Sequence, residues 1–395
     1  MATGKRESFE VSSEWVHVCF AETSQFTEVY GFSGSQGSVN LEGVRYLPKG
    51  KSSRTLVIFM HPATTLQLLP VPTALARRGV HVLCAGSRYA RNDTPLIMEK
   101  VLLDLGAYIR HAREVWGYEK VVIDGWSGGG SLAVFYQSQA EHPSITQTPA
   151  GDPIDLKAAG LLPADGLLFH AAHLARSITL RDWLDPSVLD ENNPDRRDPE
   201  LDIYDPANPN QPPYSQAYIE RFRAAQLARM RRRTAWVKET LAELKRRGGR
   251  ELERGFVTHR TMADLRFVDS AVDPNERRPR WCYLGDPAVA NCAPAGIGRY
   301  STLRSWLSQW SFDDSNANGP RCAPSVSIPM LLIENSADDA VPQPDVGIIY
   351  RAAGSHDKTL NVAKGATHYY QGQVEILDAV LDTCIAWLSA RRLHQ

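Results

Sequence analysis

One pentapeptide in this sequence has the make-up of a nucleophile turn: Gly125-Trp126-Ser127-Gly128-Gly129, a match to G-x-S-x-G. A serine hydroxyl is a weak nucleophile at neutral pH. It becomes a strong one when a neighbouring base takes its proton and a third group orients that base. Such a serine attacks a carbonyl carbon and holds the acyl group covalently until water or another nucleophile removes it. The motif lies between an apolar β-branched run at residues 121–124 (VVID) and a helix-spaced stretch at 131–141. A strand-to-helix turn is the context the motif needs. Such a turn strains the serine backbone, and its neighbours must be small because the helix folds back close to the strand. It presents the hydroxyl at the carboxyl end of a sheet, with a helix N-terminus adding partial positive charge behind it. The alternatives are a Gly-rich turn without chemistry or a phosphate cradle. The segment has neither G-x-G-x-x-G nor the lysine of a P-loop.

The elements around this turn alternate. Residues 28–48 read as two short strands with Gly/Ser turns, an opening hairpin. Then follow a buried-strand run at 55–60 (TLVIFM), a helix at 68–78 ending at Gly79, a strand at 80–85, a helix at 96–116, the strand 121–124, the helix 131–141, and a strand at 164–169. Strand-helix alternation of this kind gives a parallel sheet with right-handed crossovers. From 171 to 325 the chain is instead rich in Pro, Asp, Asn and Arg. It holds a long loop, a charged helix at 215–247 and a smaller helix at 301–310. Alternation resumes with strands at 328–333 (IPMLLI) and 359–363 (TLNVA) and an amphipathic closing helix at 373–391. The expected fold class is α/β, with a mostly parallel sheet flanked by helices. Its core is residues 1–170 and 326–395, and a large, mostly helical cap is inserted at 171–325.

With MHPA at 60–63, GWSGG at 125–129, D-D-A-V-P at 338–342 and GATH at 365–368, the chain resembles the α/β-hydrolase superfamily. The resemblance covers the two core segments and leaves the cap unassigned. It implies a triad in the order serine, acid, histidine. Beyond the strand at 328–333 only His356, His368 and His394 remain. His394 adjoins the C-terminus and His356 sits in a polar turn, whereas His368 directly follows the last strand and is the expected base. The acid belongs just after the strand at 328–333, where Glu334, Asp338 and Asp339 compete. Many hydrolases of this fold show D-x-x-V-P, which favours Asp338. One oxyanion donor is the N–H of Gly128, directly after the serine. The other belongs to the loop His61-Pro62-Ala63-Thr64; Pro62 has no N–H, so Ala63 is expected, with Thr64 next. His61 is expected to brace that loop. HP in place of the usual HG is a departure from the family. Serine at the elbow sets the chain apart from haloalkane dehalogenases and epoxide hydrolases, which use aspartate, and from dienelactone hydrolases, which use cysteine. GWSxGG is also similar to prolyl-oligopeptidase catalytic domains, but no propeller-blade repeats are present.

The resemblance implies acyl transfer without metal or organic cofactor. The expected substrate is a small to medium apolar or aromatic carboxylic ester. The same triad also serves amides, thioesters, carbon–carbon cleavage and acyl transfer to an alcohol or amine, and some members of the fold are silent ligand binders. Trp126, Thr64, His170 and His173 are candidate substrate contacts. For the two histidines, just past the strand at 164–169, a structural hydrogen bond is the alternative. Trp183, Trp236, Trp281, Trp306, Trp310, Tyr204, Tyr214, Tyr218 and Tyr283 either line a pocket or form the cap's own core. The basic run Arg229, Arg231, Arg232 and Arg233 reads as a solvated helix face or a subunit contact.

Bulk properties bound the rest. The chain has 395 residues, 43% hydrophobic and 23% charged, with a formal net charge of -1. That is ordinary for a globular enzyme and points to a small-molecule substrate rather than to nucleic acid or a membrane surface. No apolar run is long enough to span a bilayer. The N-terminus lacks an apolar signal core, so a cytoplasmic location is expected. Six scattered cysteines show no metal-type spacing and are expected as free thiols. A homodimer is the base-rate expectation for assembly.

Overall fold

A computed structural model describes residues 8–22, 29 and 37–394. Eight strands form one sheet. They are β1 (Val11–Glu22), β2 (Gly37–Pro48), β3 (Thr55–His61), β4 (His81–Gly86), β5 (Lys120–Trp126), β6 (Gly166–His170) and, after an interval that carries a two-stranded ribbon of β7 (Gly255–Val257) and β8 (Tyr300–Thr302), β9 (Met330–Asn335) and β10 (Lys358–Ala363). The spatial order is β1-β2-β4-β3-β5-β6-β9-β10. β1 and β2 are antiparallel, as are β2 and β4; every other pairing within this sheet is parallel. β1 was not anticipated from sequence. Buried Val16 and Val18 alternate with exposed Trp15, His17 and Cys19, because only one face of this edge strand meets the core. The turn expected between two strands within 28–48 lies mostly outside the described residues.

The central strands read as continuous apolar runs because both sheet faces are covered. On β3, Leu56, Ile58 and Met60 point into one layer and Val57 and Phe59 into the other, all at most 1% exposed. Each such side chain contributes about 1.5–3 kcal/mol of burial. Helices α1 (Pro70–Arg77), α2 (Met98–Glu114) and α3 (Gly128–Glu141) and a closing helix, Val374–Ala390, flank the sheet.

Between β6 and β9 the chain forms α4 (Arg176–Trp183), α5 (Gln216–Arg247) and long loops. Ser215 caps α5 by accepting from the Tyr218 N–H, and Gly248 ends it in the left-handed conformation. Tyr218, Phe222, Met230, Val237, Leu241 and Leu244 line its buried face. The basic run is split by this periodicity. Arg229 and Arg233 turn inward, while Arg231 and Arg232 are exposed. Arg229 holds Glu191 with two parallel bonds of 2.8 Å. The expected helix at 301–310 is instead strand β8, one helical turn at Leu303–Ser305 and a π-helical turn at Trp306–Trp310. β8 pairs with β7, which takes Ser301 and Thr302 out of the expected helix. All six cysteines are free.

Candidate active site

Ser127 joins β5 to α3 with φ 55° and ψ −125°, a conformation that L-residues rarely adopt. Two contacts hold it there: its N–H donates to the His170 carbonyl at 3.1 Å, and its carbonyl accepts from the His173 N–H at 3.2 Å. The surrounding glycines are demanded by close approach. A Cβ on Gly125 would lie 2.6 Å from the Gly129 carbonyl oxygen, and one on Gly129 would lie 2.3 Å from that of Met60.

The loop after β10 brings His368 Nε2 to 3.1 Å from Ser127 Oγ. The loop after β9 brings Asp338 Oδ2 to 2.9 Å from His368 Nδ1. A carboxylate only accepts, so the ring proton sits on Nδ1 and Nε2 is the acceptor for the serine hydroxyl. The other Asp338 oxygen accepts from the N–H groups of Ala340 and Val341 at 2.8 and 2.7 Å, which fixes the carboxylate in a tight turn. Ser127, His368 and Asp338 are 8%, 1% and 1% exposed, so the three are shielded from water. Asp339 lies one residue off this line. Burial, and then the neighbouring Asp338 charge, raise its pKa. Glu334 is bonded by Gln343 instead. His356 is exposed, and His394 sits against Ser389.

Gly128 opens α3, so its N–H has no acceptor within the helix. The loop after β3 differs from expectation in one respect. The N–H groups of both Ala63 and Thr64 donate to His61 Nδ1, at 3.1 and 3.2 Å. His61 does brace the loop, and Ala63 is engaged rather than free. With Nδ1 accepting, the His61 proton is on Nε2, the atom packed against Gly128. Burial first, then the positive fields of Arg176 and of the histidines His173 and His368, hold the His61 pKa well below its ordinary value.

Above the serine is a cavity of about 400 Å³. Its floor includes His61, Ala63, Thr64, Trp126 and Gly128; its roof, from the insertion, includes His173, Arg176, Trp183, Tyr283 and Trp310. Trp126 stacks obliquely on the His368 ring at 4.5 Å between centroids. The insertion's aromatics thus divide between the two roles considered. Trp183, Tyr283 and Trp310 reach the cavity, whereas Trp236, Trp306, Tyr204, Tyr214 and Tyr218 pack within the insertion.

The two neighbouring histidines separate. His173 lines the cavity. Its Nδ1 is 3.1 Å from Thr179 Oγ1, which itself lies 3.0 Å from the Ala175 carbonyl. The single hydroxyl proton serves the carbonyl, so His173 donates from Nδ1 and offers an unprotonated Nε2. Burial, with like charge from His368 and Arg176, pushes its pKa down to about 3. His170, by contrast, is fully buried and does not reach the cavity, which corrects its expected role as a substrate contact. Its Nε2 lies 2.7 Å from the Tyr370 hydroxyl, which donates onward to Asn335 Oδ1 at 2.8 Å. Asn335 Nδ2 donates to the Thr367 carbonyl at 3.0 Å, directly before His368. Behind His170, Nδ1 is 3.6 Å from buried Asp124, whose pKa is raised by burial.

Sequence reading did not find Arg176, Tyr370 or Asn335. Only the double tyrosine after GATH was a signal, since an aromatic there has a hydroxyl to place. Among the described residues, no group of three or more His, Cys, Asp or Glu side chains is placed to hold a metal ion. Nor is any helix there long and apolar enough to cross a membrane.

No family model matches the sequence, and no curated protein matches it. In structure the chain is similar to the α/β hydrolase GrgF from Penicillium sp. sh18, with a TM-score of 0.53 and 11% identity over 96% of this chain and 99% of that one. It is also similar to Est1E from Butyrivibrio proteoclasticus, with a TM-score of 0.45 and 12% identity over 89% and 95% of the two chains. Against a bacterial heroin esterase the TM-score is 0.45 and the identity 14%, over 100% of this chain and 87% of that one. At such identities the likeness is one of fold.

Proposed function

We propose that this chain, a member by fold of the α/β-hydrolase superfamily, is a serine hydrolase that cleaves small to medium carboxylic esters through an acyl-enzyme. The observation that carries this reading is the continuous line of contacts from Ser127 Oγ through His368 to Asp338, at 3.1 and 2.9 Å, on the floor of a cavity. His368 Nε2 takes the serine proton as Oγ attacks the ester carbonyl. Asp338 keeps the proton on Nδ1 and stabilises the imidazolium that forms. His368 then returns its proton to the leaving alkoxide, and the acyl group remains on Ser127. Water, deprotonated by His368, releases the acid and restores the serine.

The negative oxygen of each tetrahedral intermediate meets the Gly128 N–H. Ala63 and Thr64 share one lone pair on His61, so Ala63 can turn to the oxyanion while Thr64 stays on the ring. A donor of this kind typically contributes about 3 kcal/mol to the transition state. The insertion at 171–325 acts as a cap over this centre. Its aromatic roof excludes water and suits an apolar or aromatic substrate portion.

The test is intact mass after exposure to an alkyl fluorophosphonate, for wild type beside Ser127→Ala. One adduct on wild type and none on the variant is expected, with turnover of short nitrophenyl esters by wild type alone. An unlabelled wild type would overturn the assignment of Ser127 as nucleophile. Labelling without ester turnover, alongside cleavage of amides or diketones, would overturn the ester assignment.

A further inference from the structure

The buried arginines of this chain differ in how they are satisfied. Arg88 lies between Glu22 and Asp104, Arg260 between Asp185 and Asp202, and Arg266 between Asp182 and Asp264. Each of these three has at least two carboxylates, and the pKa of each is raised despite burial. Arg176, 9% exposed, has one hydrogen bond among the described residues: Nη2 to Asp93 Oδ2 at 2.5 Å. Its Nε is fully buried without an acceptor among the described residues. Its pKa is lowered, since the penalty of burial outweighs the attraction of Asp93, whose own side chain is 36% exposed to screening water. Arg233 and Arg299 are also bonded once each, but both lie away from the serine; Arg176 lines its cavity.

The Arg176 guanidinium lies over the Trp310 ring at 4.3 Å, which holds its plane in place at the cavity wall. Five N–H donors on a flat fork match a carboxylate edge, and a buried cation with one screened partner gains most from a second anion. His61 and His173, which also line the cavity, are held neutral, so neither competes with Arg176 as a cation for that carboxylate.

We propose that Arg176 is an anchoring site for a carboxylate on the substrate, so that the esters preferred at Ser127 are those carrying a free carboxylate elsewhere in the molecule. This rests on Ser127 being the nucleophile. Arg176 binds the carboxylate through the N–H groups that Asp93 leaves unused, and the aromatic roof covers the chain between carboxylate and ester. Arg176 is then a specificity-determining residue, remote from the bonds that change.

The test uses two fluorophosphonates of matched length, one ending in a carboxylate and one in a methyl group, over a series of chain lengths. Labelling rates are read by intact mass for wild type, Arg176→Gln and Arg176→Lys. In wild type the carboxylate probe is expected to react about tenfold faster or more at its best length. Arg176→Gln should lose that preference and Arg176→Lys retain part of it. The ratio of the two rates within one variant is independent of how much of that variant is folded. Methyl-probe labelling without a carboxylate preference in wild type at any length overturns the anchor alone. A preference that survives Arg176→Gln overturns it too. Labelling by neither probe overturns the nucleophile as well.

Discussion

At Ser127 a strained backbone is held by neighbours on three elements: the His170 carbonyl of β6, the His173 N–H just beyond it, and the helix turn that follows. His368 is held less directly. Tyr370, two residues on, sits at φ 54°, an unfavourable region for a bulky side chain. Its hydroxyl spans His170 and Asn335, and Asn335 also holds the Thr367 carbonyl. Tyr370→Phe removes the hydroxyl, leaves two buried polar groups without a partner, and costs about 1–3 kcal/mol. The loop bearing His368 should then wander. We expect kcat on a nitrophenyl ester to fall about tenfold with KM little changed, and the rate of Ser127 phosphonylation to fall in parallel. A lower melting temperature with unchanged kcat would mean that Tyr370 serves stability alone.

The insertion stands on α2 through a small polar foot. Ser308, in the π-helical turn, accepts from the Met98 N–H at 2.8 Å and donates to Glu99 Oε2 at 2.7 Å. Asn316 donates to the other Glu99 oxygen at 2.9 Å. Glu99 has no exposed surface, and burial raises its pKa. Each of these groups is therefore satisfied only while the insertion is seated. Ser308→Ala should destabilise the protein by about 1–3 kcal/mol and speed amide hydrogen exchange through residues 303–311, with α3 unaffected. Uniform acceleration across the sheet would show instead that insertion and core open as one unit. The same π turn places Trp310 at the cavity wall, so a loosened foot would also blunt substrate selection.

Across the whole molecule, buried neutral histidines make stability depend on pH. His173 titrates near 6.5 when unfolded and near 3 when folded. Above 6.5 it is neutral in both states and contributes no dependence. Below 6.5 the unfolded chain binds a proton that the folded chain refuses, so stability falls by about 1.4 kcal/mol per pH unit as pH drops toward 3. His61, shifted the same way, steepens the fall. Urea unfolding of His173→Gln between pH 7 and 4 should show a shallower loss than wild type by about that slope. Parallel curves would place the acid sensitivity elsewhere.

Much of this architecture is written locally. The runs TLVIFM and IPMLLI became β3 and β9 because continuous β-branched and apolar residues suit strands covered on both faces. Gly125 and Gly129 announced the close crossing of α3 over β3 and β5, since no other residue fits there. GWSGG, D-D-A-V-P and GATH, through the family resemblance they carry, pointed to Ser127 and His368 and favoured Asp338 over Asp339, and these three lie within hydrogen-bonding reach. What tertiary structure alone decided is which polar groups face the cavity and which are locked behind it. His170 and His173 are three residues apart with similar flanks, yet one joins Tyr370 in the core and the other opens on the serine, because the strand ends between them at Ala171, φ 43°. Arg176 could not be told from the other arginines of the insertion. What sets it apart is a place on the cavity wall with a buried Nε left without an acceptor, and both are set by the packing of distant segments, not by the residues on either side.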